Sequence, residues 1–298
     1  INQYARQNNL PTVKLIPYVA GDGENGIKNQ IKQMNQLINS KPDLIIVQPT
    51  DNAALSDPLK LANQRKIPVV AYDQYISGGT LAAYRTSDNY QAGFLDGEYI
   101  TSKLNQKGKI YKIILVEYPH VSSTVERLNG FMDALSKSKI QFKVLKSYIA
   151  VEPESGKKAG QSILKDFPNK NSIDVVFCVN DGGGLAVVEE LAKAKRNEIM
   201  LATIDGDPKS VNNIKNKKIT VIDCAQFCGP LGSETLKASY SILLKKKTPF
   251  HALVPVFPIC RETINLYPGW LGPIPRNFKK PWRSTNPIWK SELRIVKN

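Results

Sequence analysis

The sequence predicts an α/β protein built from two doubly wound lobes, each with a parallel sheet. Short apolar runs alternate with helical patterns along most of the chain, which is typical of parallel strands with helices on both faces. The stretch from Asp43 to Gln74 shows this most clearly, because it holds a strand, a helix and a second strand. The alternation forms two series, each too short to close an eight-stranded barrel, and this indicates two lobes.

The unit within this stretch places two strand ends at one sheet edge. Leu44 to Val47 and Val69 to Tyr72 are continuous apolar runs, as expected of strands buried on both faces. Between them, Asp57 is predicted to cap a helix that begins at Pro58, since proline has no N–H to lose there. Parallel strands joined by a right-handed crossover both end at the carboxyl edge, where open α/β sheets bind ligands.

The other elements continue the alternation. Further strands are predicted at 13–16, 82–85, 110–116, 142–147, 175–179, 199–204 and 220–223. Further helices are predicted at 1–9, 26–40, 90–104, 124–136, 157–167, 185–194 and 208–216. A helix ahead of the first strand is unusual for a doubly wound lobe, so we expect a further strand upstream of residue 1.

Length, composition and charge fit a globular binding protein. The 298 residues, of which 42% are hydrophobic, suffice for two domains with full cores. No run approaches the roughly 18 apolar residues of a membrane helix, and the first residues do not form a signal peptide. The net charge of +15 is spread over almost every segment. We therefore predict a solvated basic surface and no nucleic-acid partner.

Motifs for catalysis and for cofactors are missing. The glycine-rich segment NDGGGLA follows a strand, but it has neither the G-x-G-x-x-G spacing nor a Walker lysine. We predict that the chain is not an enzyme and holds no cofactor. With only two histidines, a zinc site is not expected. Cys224, Cys228 and Cys260 are candidates for one disulfide in an oxidising compartment, whereas Cys178 is predicted to be buried.

Polar side chains follow four predicted strands. Asp73 and Gln74 follow VVAY, Asn180 follows VVFCV, Asp205 follows MLATI, and Gln226 comes just after TVIDC. Any one of them is explained by helix capping or by a turn. Four such groups at carboxyl edges, without a nucleophile and base beside them, instead indicate the lining of a site for a ligand with many hydroxyls.

Several segments together resemble one family. They are IIVQPTDNAAL, IPVVAYDQ, TSDN, ERLNGFMDAL, VFCVNDGGGLAVVEEL, ATIDGDPKSVNNI and PVFPICRETI. Their order and spacing over residues 1–265 resemble the bacterial periplasmic sugar-binding proteins of the ribose- and xylose-binding type. The effector domains of sugar-responsive repressors share this fold, and they are an alternative.

The resemblance implies the type I periplasmic-binding-protein fold, with a hinge of three chain crossings. One lobe would contain 1–104 and 227–253, and the other 105–226 and 254–265, with a sugar or polyol bound between them. The family's first strand contacts the ligand, and here it would be supplied by upstream residues, by a partner chain or by a fused domain. The implied location is periplasmic, or extracellular and membrane-associated, and the implied partner is an ABC-type permease or a membrane sensor.

The resemblance also implies a ligand set. Asp73, Asn180, Asp205 and Gln226 match positions that hydrogen-bond the sugar hydroxyls. Gln74 and Val125 stand where the family usually has arginine, so the usual pentose is in doubt, and Arg85 or Arg127 is the candidate to compensate. Sugar rings pack on aromatic rings, and the candidates for this contact are Tyr75, Tyr118 and Phe227. For Phe227, packing at the hinge is the alternative.

Residues 266–298 lie beyond the resemblance and are rich in tryptophan, proline and basic residues. One hypothesis is a structural strap, in which Trp270, Trp282 and Trp289 pin the segment to the lobes and so tie the lobes together. The other is a docking face for an acidic partner or anionic lipid headgroups, with Trp282 as its anchor. Its basic residues would be Arg276, Lys279, Lys280 and Arg283.

Overall fold

The computed structural model describes residues 2–21, 23–104 and 106–297, which form two compact units. The first unit contains the chain up to Arg85, residues 232–252 and the chain from Val296 onward. The second contains residues 86–231 and 253–295. Residues 1, 105 and 298, which bound predicted segments, lie outside the described residues. The predicted two-lobe α/β class is confirmed.

Helices and strands alternate as expected. The helices are α1 (Asn2–Gln7), α2 (Gly23–Asn39), α3 (Ser56–Gln64), α4 (Asn89–Lys103), α5 (Ser122–Lys137), α6 (Pro153–Asp166), α7 (Asp181–Lys193), α8 (Pro208–Lys215) and α9 (Cys228–Leu243). The strands up to residue 225 are β1 (Ile45–Val47), β2 (Val69–Tyr72), β3 (Ala83–Ser87), β4 (Ile110–Glu117), β5 (Gln141–Ile149), β6 (Val175–Cys178), β7 (Met200–Asp205) and β8 (Thr220–Ala225). They are followed by β9 (His251–Val254), β10 (Phe257–Cys260), β11 (Phe278–Lys279), β12 (Ile288–Trp289) and β13 (Arg294–Val296).

Two main sheets carry the strands. One has the order β1-β2-β3-β9-β13, and the other β10-β8-β7-β6-β4-β5, while β11 and β12 form a separate antiparallel pair. In the six-stranded sheet all neighbours from β8 to β5 are parallel, and only β10 is antiparallel. The carboxyl ends of β6, β7 and β8 therefore lie side by side.

Each unit has its own apolar core. In the first, Met34 and Ile38 of α2 pack with Leu59 of α3 against β1 and β2. In the second, buried residues of β4 and β6 pack with α6 and α7, including Ile163 and Leu191. Burial of this kind is the main favourable contribution to folding, at roughly 25 cal/mol for each Å² of apolar surface.

The predicted lobes have their boundaries near Leu104, Gln226 and Val254. The compact units are divided at other positions. The chain passes between units within β3, α9, β9 and β13. Helix α4 belongs to the second unit because it packs against α5, β7 and β8. The units describe packing, whereas the predicted lobes, as the bodies that move on ligand binding, stay a prediction.

Two local predictions are wrong. Helix α3 begins at Ser56, and its N-cap residue Leu55 makes no side-chain capping bond. Asp57 is exposed and pairs with Lys60 instead of capping, because the helix begins one residue before it. Residues 13–16 form no strand, since neither described main sheet includes them as a hydrogen-bonded neighbour.

Residues 266–295 are fixed within the second unit by all three tryptophans. The indole N–H groups donate to the Asp205 carbonyl from Trp270, to the Glu98 carboxylate from Trp282, and to the Val256 carbonyl from Trp289. These contacts support the strap hypothesis in its main part, the anchoring of the segment by tryptophan.

A buried charge cluster adds to this anchoring. The carboxylate of Glu98 on α4 accepts hydrogen bonds from Lys280 Nζ at 2.6 Å, Trp282 Nε1 at 3.0 Å and the Ser284 hydroxyl at 2.6 Å. The side chains of Glu98 and Lys280 are only 9% and 3% exposed. Lys280 therefore cannot form part of an exposed docking face, and its place in that hypothesis is wrong.

Helices α4 and α5 approach closely through glycines. A Cβ atom on Gly93 would lie 1.8 Å from the Arg127 carbonyl oxygen, and one on Gly130 would lie 2.0 Å from the Tyr90 carbonyl oxygen. Only residues without a side chain permit this contact, which brings α4 to the helix that carries Arg127.

Replacing Gly93 with alanine is expected to lower the free energy of unfolding by about 3 kcal/mol, because the two helices must separate. Gly232→Ala on α9 is the matched control. No atom lies within 4 Å of its added Cβ, so a gain of about 0.5–1 kcal/mol from helix propensity is expected. Urea denaturation measures both, and equal stabilities of the two variants would contradict the packing argument.

Glu98→Gln removes the charge that faces Lys280 and keeps the shape of the side chain. We expect a loss of about 3 kcal/mol in the free energy of unfolding, because a buried ammonium group is left without its counter-charge. In the control, Glu154→Gln breaks the exposed pair with Lys158 and should cost less than about 1 kcal/mol. Thermal denaturation of both variants provides the comparison; a Glu98→Gln protein as stable as its control would contradict the expectation.

Candidate functional site

Three of the predicted site residues lie at the carboxyl edge of the six-stranded sheet. Asn180 follows β6, Asp205 ends β7 and Gln226 follows β8, and these strands are neighbours. The Gln226 side-chain amide donates to Asp205 Oδ1 at 2.7 Å, and the Gln226 backbone N–H donates to the Asp205 carbonyl at 3.1 Å. The structure thus brings Asp205 and Gln226 into direct contact.

The buried side chain of Arg127 forms an ion pair with Asp205. Its guanidinium donates to Asp205 Oδ1 at 3.0 Å, to the Val179 carbonyl at 2.9 Å and to Asn89 Oδ1 at 2.9 Å. The Arg127 side chain is 4% exposed, whereas that of Asp205 is 25% exposed. Asp205 therefore combines a buried cationic partner with a face that is open to solvent.

Asn180 is the N-cap of α7. Its Oδ1 accepts from the Gly183 N–H at 3.2 Å, and its Nδ2 donates to the Val151 carbonyl at 2.9 Å. The capping explanation considered for this residue is therefore confirmed. The capping bond uses one of the two lone pairs of the Asn180 amide oxygen, so the second can still accept a hydrogen bond. The ligand role of Asn180 stays a prediction.

Asp73, Gln74 and Tyr75 belong to the first unit, directly after β2. Asp73 has a positive φ of 62°, and its Oδ2 accepts from Gln48 Nε2 at 2.7 Å. The ring of Tyr75 meets the edge of the Tyr84 ring, with centroids 5.3 Å apart. All three side chains are half-buried, so part of each faces solvent at this strand end.

The two arginines considered as compensation are used structurally. Arg85 is buried in the first unit, where it donates to the carbonyls of Tyr84, Pro249 and Phe250. Arg127 is committed to Asp205 and its neighbours, as described above. The prediction that one of them replaces the usual ligand-binding arginine is therefore wrong for Arg85, and for Arg127 it stays a prediction.

Of the aromatic candidates, Phe227 is fully buried and packs against Phe257 and Tyr267, with ring centroids 6.4 Å and 6.1 Å away. A fully buried ring cannot stack on a ligand, so the packing part of the alternative is confirmed, while the position of Phe227 at a hinge stays a prediction. Tyr75 and Tyr118 stay candidates because both are half-buried.

Two buried acids outside the predicted ligand set, Asp181 and Asp223, hold the turn after β7. Asp181 accepts from the Thr203 hydroxyl at 2.9 Å and from the Asp207 N–H at 2.7 Å. Asp223 Oδ1 accepts from the Gly206 N–H at 2.9 Å. Both carboxyls are fully enclosed, and the sequence signal that could have found Asp223 is a charged residue inside the apolar run of β8.

Burial sets the protonation of these acids. Desolvation, with the charge of Asp223 as a further cause, holds the pKa of Asp181 well above its ordinary value. Desolvation raises the pKa of Asp223 to about 8 and also raises the pKa of Asp96 on α4. The second unit therefore binds more protons at neutral pH when folded than when unfolded.

Other site types find no support in the described part of the chain. All four cysteines there are free thiols, so the candidate disulfide among Cys224, Cys228 and Cys260 is not formed. Among residues 2–21, 23–104 and 106–297, no group of three or more His, Cys, Asp or Glu side chains is placed to hold a metal ion. Nor is any helix within those ranges both long and apolar enough to cross a membrane.

The fold and this strand-end site define a solute-binding protein of the two-unit α/β type. Family comparison shows that the chain belongs to the periplasmic binding protein domain family, which matches residues 3–247. One relative is the ribose import binding protein of Salmonella typhimurium, 27% identical over 227 residues, or 76% of this chain and 74% of the relative. The resemblance inferred from the sequence is confirmed.

Solved structures agree with this assignment. An ABC transporter periplasmic solute binding protein from Actinobacillus succinogenes, solved with bound D-allose, has a TM-score of 0.74 at 19% identity, covering 89% of this chain and 92% of its own. The fructose-binding periplasmic domain of a hybrid two-component system has a TM-score of 0.72 at 25% identity, covering 83% and 80%. These relatives are binding proteins and not enzymes, as the sequence predicted for this chain.

The raised pKa values predict a pH-dependent stability. Because the folded state binds more protons than the unfolded state, the free energy of unfolding should fall as the pH rises from about 5 to 8. Each excess proton contributes about 1.4 kcal/mol per pH unit. Asp223→Asn, which cannot ionise, should show a shallower fall in urea titrations across this range.

The control for this measurement is Asp133→Asn. Asp133 lies on the exposed surface of α5, and the hydrogen bond from Tyr90 lowers the pKa of its carboxyl. Its substitution should leave the slope between pH 5 and 8 unchanged. A slope that is the same in wild type and Asp223→Asn would show that Asp223 is already ionised in the folded protein.

Proposed function

We propose that this protein captures a sugar or related polyol outside the cytoplasmic membrane and delivers it to an ABC-type permease. The proposal assigns ligand contacts to Asp73, Gln74 and Tyr75 in the first unit. In the second unit it assigns them to Asn180, Asp205 and Gln226. Membership of the periplasmic binding protein family and the sugars bound by the relatives support it.

The observation that carries the proposal is the hydrogen-bonded pair of Asp205 and Gln226, in which Asp205 also binds Arg127. The aspartate presents acceptors, and the glutamine amide presents a donor and an acceptor, on one partly exposed surface. Neighbouring hydroxyls of a sugar both donate and accept, so such a pair matches them. The guanidinium of Arg127 keeps Asp205 in place before the ligand arrives, which lowers the ordering cost of binding.

The ligand class follows from the missing arginines. Gln74 and the partly exposed Val125 offer no planar pair of charged donors, so this chain has no reason to favour an anionic sugar derivative at these positions. The carboxylates of Asp73 and Asp205 favour donors. We therefore expect a neutral sugar or polyol and not an anionic derivative.

A second function is favoured by one observation. The fructose-binding relative is the periplasmic domain of a hybrid two-component system, which supports the alternative that this chain is a ligand-sensing domain or the partner of a membrane signalling receptor. The two functions differ in the effect of deleting the gene: loss of uptake of the bound sugar supports delivery to a permease. Unchanged uptake with a lost transcriptional response to that sugar supports sensing.

Asp205→Asn tests the site. The amide can still accept from Arg127 and Gln226, but it loses a charged acceptor for ligand hydroxyls. We expect the affinity for the preferred sugar to fall by about tenfold, since a hydrogen bond to a charged group contributes about 1.5 kcal/mol or more. Isothermal titration calorimetry with D-ribose, D-allose, D-fructose and myo-inositol measures the effect.

Asp133→Asn is the control, because that carboxylate is 51% exposed and lies near the end of α5, the helix that runs away from the carboxyl edge after β4. It should bind as the wild type does. Undiminished affinity in Asp205→Asn would remove Asp205 from the site. A wild-type protein that binds none of the panel would contradict the proposed function itself.

A further inference from the structure

The backbone of the turn after β7 has unusual φ angles, so contacts from other parts of the chain are needed to stabilise it. Asp205 has a φ of 139° and Gly206 a φ of 81°, both in the region that residues with side chains rarely adopt. A Cβ atom on Gly206 would lie 2.5 Å from the Cβ of Ala225. For Asp205 this conformation is strained, and it persists only because surrounding contacts fix it.

Tyr267 and Trp270 of the C-terminal segment supply part of the contacts that fix this turn. The indole Nε1 of Trp270 donates to the Asp205 carbonyl at 2.6 Å, and the Tyr267 hydroxyl donates to the Gly206 carbonyl at 3.4 Å. The same Asp205 carbonyl accepts the backbone N–H of Gln226. One carbonyl therefore joins the candidate ligand pair to the C-terminal segment.

The C-terminal contact is itself well anchored. The Trp270 carbonyl accepts from the Gly229 N–H at 3.1 Å, at the start of α9. The ring of Tyr267 packs against Phe227 and Phe257, with centroids 6.1 Å and 5.9 Å away. Trp270 is thus fixed on a packed support and can hold the turn in one place.

We infer that Trp270 is a positioning residue of the ligand site and that its hydrogen bond to the Asp205 carbonyl helps to set the affinity. Trp270 acts through the Asp205 backbone and need not touch the ligand. The inference rests on the proposed function, because it assigns a consequence to the same Asp205. It gives the C-terminal segment a role in binding, beyond anchoring itself to the second unit.

Trp270→Phe tests this, since phenylalanine keeps an aromatic ring and removes the N–H donor. Trp289→Phe is the matched control, because it also removes an indole N–H bond to a backbone carbonyl, that of Val256, at 2.8 Å. With the panel sugar that the wild type binds most tightly, calorimetry should show about fivefold to tenfold weaker binding for Trp270→Phe. Trp289→Phe should bind as the wild type does at a similar melting temperature.

A second measurement needs no ligand. Amide hydrogen exchange of the Gly206 and Asp207 N–H groups should become faster in Trp270→Phe and stay unchanged in Trp289→Phe, because only the former loosens the turn. Unchanged exchange in Trp270→Phe, or equal loss of affinity in both variants, would overturn the inference. A wild-type protein that binds no sugar would contradict the proposed function, while the exchange result would still decide whether Trp270 fixes the turn.

Discussion

The buried guanidinium of Arg127 is the interaction on which the second unit depends. A buried charge is costly unless it is paired and hydrogen-bonded, and Arg127 meets this requirement with groups from three other parts of the chain. Asn89 comes from α4, Val179 from the end of β6, and Asp205 from the end of β7. The close glycine contact between α4 and α5 and the order of the parallel strands are both needed to bring these groups together. The candidate ligand edge is therefore fixed by the core beneath it.

Periodicity and strand-end polarity were enough to predict the two-unit α/β class and the residues at the sheet edge. A parallel strand is specified by its own apolar run, and its last residue must lie at the carboxyl edge. The contact between Asp205 and Gln226 follows from this geometry. The role of Arg127 does not, because it depends on how tightly two helices pack, and that is decided by the absence of a Cβ at Gly93 and Gly130. The error at Asp57 is local, since α3 simply begins one residue earlier.

The C-terminal segment shows where composition stops being informative. Tryptophan and proline predicted an extended segment held by aromatic residues, and the basic residues equally predicted a docking face. The partners that decide between these readings, Glu98, Asp205 and Val256, are distant in sequence and chemically ordinary. Lys280 illustrates this. In the sequence it is one of seven basic residues of the segment, whereas in the structure it is the buried counter-charge of Glu98.

The site edge carries several features that oppose stability. Asp205 has a strained backbone, and Asp181 and Asp223 are carboxyls held in an environment that disfavours their charge. Each of these acids accepts a backbone N–H from the turn that Asp205 begins. Their removal in favour of apolar residues would relieve burial costs but leave those N–H groups without partners. Their placement is therefore better explained by the position they give to Asp205 than by folding, which is the expected pattern where local structure serves a binding site.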